Sequence, residues 1–298
     1  MNLDSCNICP RNCKVNRNKG ELGFCMAPNK IKIARYSLHK WEEPCISRKN
    51  GSGTIFFSCC NLRCLFCQNY DISTNNIGKE ITIEEFADIC LELQKNKAHN
   101  INLVTPTPYI PLIKEGLILA KEKGLKIPIV YNTSGYEKVE SLKELDGLID
   151  VYLPDFKYYD NKLGEKFSNI KNYFEISKEA LEEMIRQTGK VVIKNGLIRK
   201  GVIVRHLLLP KHIIDSKNVI KFLSKYKDKI YISIMNQYTP IRKIEKYKEL
   251  NNIVEEDEYD ELINYACDLG ITKAFIQEGE TCKESFIPDF NIFNGIKN

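Results

Sequence analysis

Three cysteines in one short stretch, Cys60-Asn-Leu-Arg-Cys64-Leu-Phe-Cys67, offer three thiolates from a single loop. Thiolates are the ligands of iron–sulfur clusters. Three of them on a four-iron cubane leave one iron free for another molecule, whereas a structural zinc ion asks for four ligands. Cys59 is a formal candidate for the fourth, but adjacent cysteines rarely reach the same metal, and it reads as a packing residue. A second set, Cys6-x2-Cys9-x3-Cys13-x11-Cys25, supplies four thiols, with Gly20 and Gly23 turning the chain between the last two. Four ligands close a site of their own, and the spacing leaves structural zinc and an auxiliary iron–sulfur cluster both open.

Those thiols need elements to position them. Gly53–Ser58 (GTIFFS) reads as a buried strand that delivers the loop at Cys60. Thr82 and Glu85 form a capping box for a helix to Lys95, with Phe86, Ile89, Cys90 and Leu93 on one face. Strands are expected at 101–104, 127–131, 149–153, 202–209, 229–235 and 273–277, and helices at 111–123, 137–145, 177–187, 216–226 and 257–269. Asn195-Gly196 marks a hairpin turn. Strands alternating with helices indicate a parallel sheet. With no G-x-G-x-x-G signature, the expected fold is α/β, a partial (β/α)6-type parallel barrel over residues 51–298, preceded by a cysteine-rich metal-binding module over 1–50. In such a barrel the site lies at the carboxyl ends of the strands. Polar residues follow the strands at Thr105 and Thr107, Asn132 and Ser134, Asp155 and Lys157, Arg205, and Asn236 and Gln237, and are expected to converge there. His206, on the opposite face of its strand, should pack against a helix.

Bulk properties narrow the partners. The chain has 298 residues, 43% hydrophobic, enough for a sizeable core, and its mean hydropathy is ordinary for a soluble protein. A net charge of +5, without a basic block, gives no clear nucleic-acid footprint. No apolar run approaches a membrane span, and the N-terminus lacks an export signal, so a cytoplasmic location is expected. In that reducing setting twelve cysteines, nine of them within the first 67 residues, favour metal over disulfides. Cys90 and Cys267 read as core residues on helix faces, and Cys282 has no assigned role. Trp41-Glu42-Glu43-Pro44-Cys45 reads as a loop over the barrel mouth, open to two readings: contact of Glu42, Glu43 or Cys45 with substrate, or, favoured, a capping loop with solvated glutamates and a buried thiol.

The loop matches C-x3-C-x-φ-C with Phe66 at the aromatic position. With GSGTIFFS before it and QNYDIS after it, the chain resembles the radical S-adenosylmethionine (SAM) superfamily, and within it the pyruvate formate-lyase activating enzymes and their relatives, from Cys6 to about Pro240. Many of those relatives have Gly at the position of Cys59. The resemblance implies an enzyme with a 4Fe–4S cluster on Cys60, Cys64 and Cys67, whose open iron holds SAM for reductive cleavage to a 5′-deoxyadenosyl radical. It places Asp155 and Lys157 on the methionyl and ribose part, with Asn132 and Ser134 nearby. It places Arg205 on the SAM carboxylate and Gln237 (or Asn236) on ribose or adenine. Thr105-Pro106-Thr107-Pro108 stands where the family has G-G-E-P; with no Glu or Gly present, Thr105 and Thr107 would hold the SAM amino group. It also implies an electron donor such as flavodoxin or ferredoxin, and a glycyl radical enzyme or other peptidyl substrate. Two alternatives stand beside it. One is radical chemistry on a small metabolite, in a pocket lined by Tyr109, Tyr131, Tyr152, Tyr158 and Tyr238. The other is a non-catalytic metal-binding interaction protein.

Overall fold

The computed structural model describes residues 2–277 and 288–296; Cys282 lies outside the described residues. Ten strands form one sheet: β1 (Ile31–His39), β2 (Ser52–Phe57), β3 (Lys79–Ile81), β4 (Ile101–Val104), β5 (Ile129–Thr133), β6 (Val151–Pro154), β7 (Val192–Lys194), β8 (Leu197–Leu207), β9 (Tyr231–Met235) and β10 (Ala274–Ile276). The order is β10-β9-β8-β6-β5-β4-β2-β1-β3, with β7 on β8. From β2 through β10 this path is parallel, and β1 adds to β2 antiparallel. The sheet does not close on itself, and the fold is the α/β partial barrel expected.

The parallel strands are covered on both faces, as parallel sheets require, and every residue of β2, β4, β5 and β6 is buried. Helices fill the crossovers: Ile83–Lys95, Ile110–Glu122, Val139–Lys143, Asn161–Ser168, Tyr173–Thr188, Ile213–Leu223 and Glu256–Asp268. Thr82 caps the first of these and Glu85 completes the capping box. Gly116 lets that helix pair approach closely, since a Cβ there would lie 2.4 Å from Phe86. Asn195 (φ 53°) and Gly196 (φ 72°) form the expected hairpin turn, both left-handed. Among the described residues no helix is long and apolar enough to cross a membrane.

Three expectations change. Residues 1–50 are not all irregular, because 31–39 is a nine-residue strand of the main sheet. The helix Asn161–Ser168 has no counterpart in the sequence reading. Cys267 is exposed rather than in the core: its helix buries Tyr259, Leu262 and Ala266, and Cys267 falls about 100° round from Ala266.

Candidate functional site

The carboxyl ends of the strands enclose a cavity of about 240 Å³. On its wall stand Cys60, Cys64 and Cys67. Residues from the next strand ends join them: Thr105, Asn132, Ser134, Asp155, Lys157, Arg205 and Gln237 all line the same space. Asp155 and Arg205 sit opposite one another in a parallel bridge just beyond β6 and within β8, so register alone brings them together. Gly135 permits this crowding, as a Cβ there would fall 2.2 Å from the Asp155 carbonyl oxygen.

Each sulfur of the loop has a partner. The Leu62 amide donates to Cys60 Sγ (3.4 Å), the Ser168 hydroxyl donates to Cys64 Sγ (3.0 Å), and Ser73 Oγ lies 3.3 Å from Cys67 Sγ. Burial pushes all three thiols up, Cys64 to about 11, and the Lys157 ammonium pulls each of them back. Cys59 turns away: it is fully buried, its sulfur 3.5 Å from the Met26 carbonyl, and its φ is 72°. That left-handed backbone favours glycine, in keeping with the Gly expected at this position in many relatives. Thr105 likewise has φ 60°, a strained state for a β-branched residue, where the G-G-E-P turn would place Gly.

Across the cavity runs an ionic chain. Lys157 Nζ meets Asp155 Oδ2 at 2.7 Å, Arg205 Nε meets Asp155 Oδ1 at 3.2 Å, and Arg205 Nη1 meets Glu42 Oε2 at 3.1 Å. Arg205 Nη2 donates to Asn132 Oδ1, and Asn102 Nδ2 donates to Glu42 Oε1 at 2.9 Å. Burial alone would raise the Asp155 carboxyl, but Lys157 and Arg205 outweigh it and hold it below the usual range. Burial would lower Lys157 and Arg205, yet their acidic partners hold both above the ordinary value. Asp155, Lys157 and Arg205 are therefore all ionised at neutral pH.

Other expectations fall differently. Thr107 is not on the cavity; it is buried, and its hydroxyl donates to Glu137, as do Thr133 and Tyr131. Burial raises the Glu137 carboxyl to about 7 despite these donors. Glu42 and Glu43 are not solvated: Glu42 belongs to the ionic chain and Glu43 is buried, as is Cys45. Tyr109, Tyr131, Tyr152, Tyr158 and Tyr238 are all fully buried, and none is on the cavity wall. Their rings pack with one another and with phenylalanines, as Tyr131 does on Tyr152 at 5.7 Å. His206 is buried and meets the Phe156 carbonyl through Nδ1. Asn236 is not on the cavity wall, whereas Gln237 is.

Cys6, Cys9, Cys13 and Cys25 also share one space, a void of only about 10 Å³. The segment carrying them docks behind the loop of Cys60, Cys64 and Cys67: Arg11 donates to the carbonyls of Asn61 and Asn169, and Arg63 donates to that of Phe24. Among the described residues no three His, Cys, Asp or Glu side chains are already arranged as a metal-ion site. The loop thiols nevertheless fit a cubane with one open corner, because three sulfurs line a roomy cavity and the neighbouring fourth cysteine points elsewhere.

Residues 54–223 match the family model described as the radical SAM superfamily. An uncharacterized protein of Methanocaldococcus jannaschii is 34% identical over 275 residues, covering 88% of this chain and 74% of its own. The pyruvate formate-lyase-activating enzyme of Clostridium pasteurianum is 27% identical over 208 residues, covering 66% of this chain and 79% of its own. Among solved structures, methylornithine synthase superposes with a TM-score of 0.52 at 16% identity, over 80% of this chain and 68% of that one. Streptococcus suis SuiB bound to precursor peptide SuiA superposes with a TM-score of 0.51 at 14% identity, over 74% of this chain; the chain spans about half the length of SuiB, 47%. At these identities the two structures show the shared fold.

Proposed function

The chain belongs to the radical SAM superfamily, and on that premise we propose that Cys60, Cys64 and Cys67 hold a 4Fe–4S cluster whose open corner receives S-adenosylmethionine. When bound, cluster and cofactor supply a one-electron cleavage of the sulfonium–carbon bond, and the 5′-deoxyadenosyl radical released takes a hydrogen atom from substrate. The protein's part is placement. The Arg205 guanidinium presents a planar fork suited to the cofactor's carboxylate. Asp155, held ionised by its two cations, accepts from ammonium or ribose hydroxyls, and Asn132 and Ser134 add neutral partners beside it. Lys157 places a positive charge next to all three sulfurs and favours their thiolate forms. Gln237 stands on the same wall for the ribose or base, and the strained Thr105 turn exposes backbone to the cofactor's amino group. The observation that carries this reading is the convergence of three sulfurs and the Lys157–Asp155–Arg205–Glu42 chain on one cavity.

The test is anaerobic reconstitution with iron and sulfide, reduction by dithionite, and assay of 5′-deoxyadenosine from SAM. Cluster-loaded protein that makes none would sink the reading.

For substrate we favour a polypeptide, with hydrogen abstraction from a glycine or another peptidyl carbon. The open sheet supports it, and so does the exposed Trp41 on the cavity wall. The clostridial relative and SuiB, named for a protein and a peptide partner, point the same way. A closed metabolite pocket loses its motivation, because the tyrosines invoked for it are core residues. A cytoplasmic donor such as flavodoxin or ferredoxin supplies the electron, and Cys6, Cys9, Cys13 and Cys25 hold a second metal, zinc or iron–sulfur. Silence of every glycyl radical protein of the host, tested by electron paramagnetic resonance with the active enzyme, would count against activase chemistry.

A further inference from the structure

We propose that Cys6, Cys9, Cys13 and Cys25 hold one zinc ion, not a cluster, and that this ion fixes the N-terminal segment behind the loop carrying Cys60, Cys64 and Cys67. The proposal rests on the second-metal reading above and names the metal.

Space decides first. The four cysteines surround about 10 Å³, the room of a single small particle, while the other three face about 240 Å³. A four-iron, four-sulfide cubane has no place in the smaller void without unpacking Ile8 and Val15, which also line it. Four thiolates in a closed tetrahedron are the ordinary surroundings of structural zinc.

The backbone is arranged for thiolates. The Phe24 amide donates to Cys13 Sγ at 3.5 Å. Gly23 makes the last turn possible, since a Cβ there would lie 3.0 Å from both Cys13 Cβ and Cys13 Sγ.

Charge supplies an independent reason. Arg17 is 2% exposed and lines the void together with Arg11. Arg17 donates to the carbonyls of Pro28 and Pro108, and Arg11 to those of Asn61 and Asn169. Among the described residues neither forms a salt bridge, so the buried Arg17 and the half-buried Arg11 have only neutral acceptors. Buried charge needs an opposite charge to be tolerated. Four thiolates on a divalent ion carry two negative charges, which the two guanidiniums neutralise.

The experiment measures zinc, iron and sulfide in the full chain and in the triple variant Cys60→Ala/Cys64→Ala/Cys67→Ala, purified without oxygen, with X-ray absorption at the zinc edge. One zinc per chain in both proteins, bonded to four sulfurs at about 2.3 Å, is the expected result. Iron and sulfide in the triple variant, or no metal there, would overturn it. Wild-type chain that keeps its zinc but cannot be loaded with iron would instead sink the cluster assignment and leave this one standing. Should the triple variant not fold, a mercurial titration of wild-type chain must release one equivalent of zinc to a chromophoric chelator, and Cys13→Ser must abolish that release. A titration that releases none refutes the proposal.

Discussion

Cys60, Cys64 and Cys67 look onto a cavity of about 240 Å³, whereas Cys6, Cys9, Cys13 and Cys25 close around about 10 Å³. Both sets are buried or half-buried thiols with hydrogen-bond donors to sulfur, so the chemistry of the ligand does not distinguish them. What differs is the company. The open set stands before a chain of ion-paired side chains with exchangeable partners, and the closed set before two arginines held by carbonyls and aromatic rings. A reactive centre keeps a coordination position and working room; a structural one saturates itself and has none to spare.

The most severe break in that comparison is Cys64→Ala. Two remaining thiolates do not hold a cubane, so 5′-deoxyadenosine production should fall to background, while zinc stays at one per chain. Retained activity would contradict the ligand assignment. Next is Asp155→Asn, which leaves Lys157 and Arg205 facing each other with Glu42 as the sole acid. A hydrogen bond from the cofactor to a charged carboxylate contributes up to about 3 kcal/mol, so its loss weakens SAM binding roughly 100-fold. Calorimetry with SAM checks it, and unchanged affinity would remove Asp155 from the cofactor's contacts.

Glu137 lies between the two regions, bonded to the strand-end threonines and close enough to Cys9 to raise that thiol. Its pKa is about 7 in the fold and 4.5 otherwise. Native chain therefore holds a proton that unfolded chain gives up, so stability falls as pH rises from about 4.5 to 7. The loss approaches about 3 kcal/mol by proton linkage. Urea unfolding of Glu137→Gln should lack this slope, and an identical slope in both proteins would place the titration elsewhere. The smallest change is Thr105→Gly. Relief of the left-handed backbone offsets glycine's added freedom in the unfolded chain and leaves a net gain of about 1 kcal/mol. A lower melting temperature would instead show that the Thr105 side chain holds the turn.

Much of this was legible in the text. The parallel elements announce themselves by buried runs and caps, and the family by the spacing of Cys60, Cys64 and Cys67 after a strand. What escaped has identifiable causes. In β1 the apolar residues switch phase, from Ile31 and Ile33 to Tyr36 and Leu38, and a bulge between Ile33 and Arg35 absorbs the switch. Simple alternation breaks there, and the strand reads as loop. The tyrosines misled for the opposite reason. Tyr131 and Asn132 are neighbours in sequence, but a period of two sends them to different faces, and only Asn132 reaches the cavity. Ser168, Ser73 and Glu42 come to the site through contacts 104, 6 and 163 residues apart, and no local pattern encodes the distant pairs.

Arg11 grips carbonyls that lie 50 and 158 residues further along the chain. During synthesis Cys6, Cys9 and Cys13 thus wait for a berth that is made much later, when Asn169 has emerged. The seam between the N-terminal segment and the loop at Asn61 is therefore one of the last parts of the fold that can close.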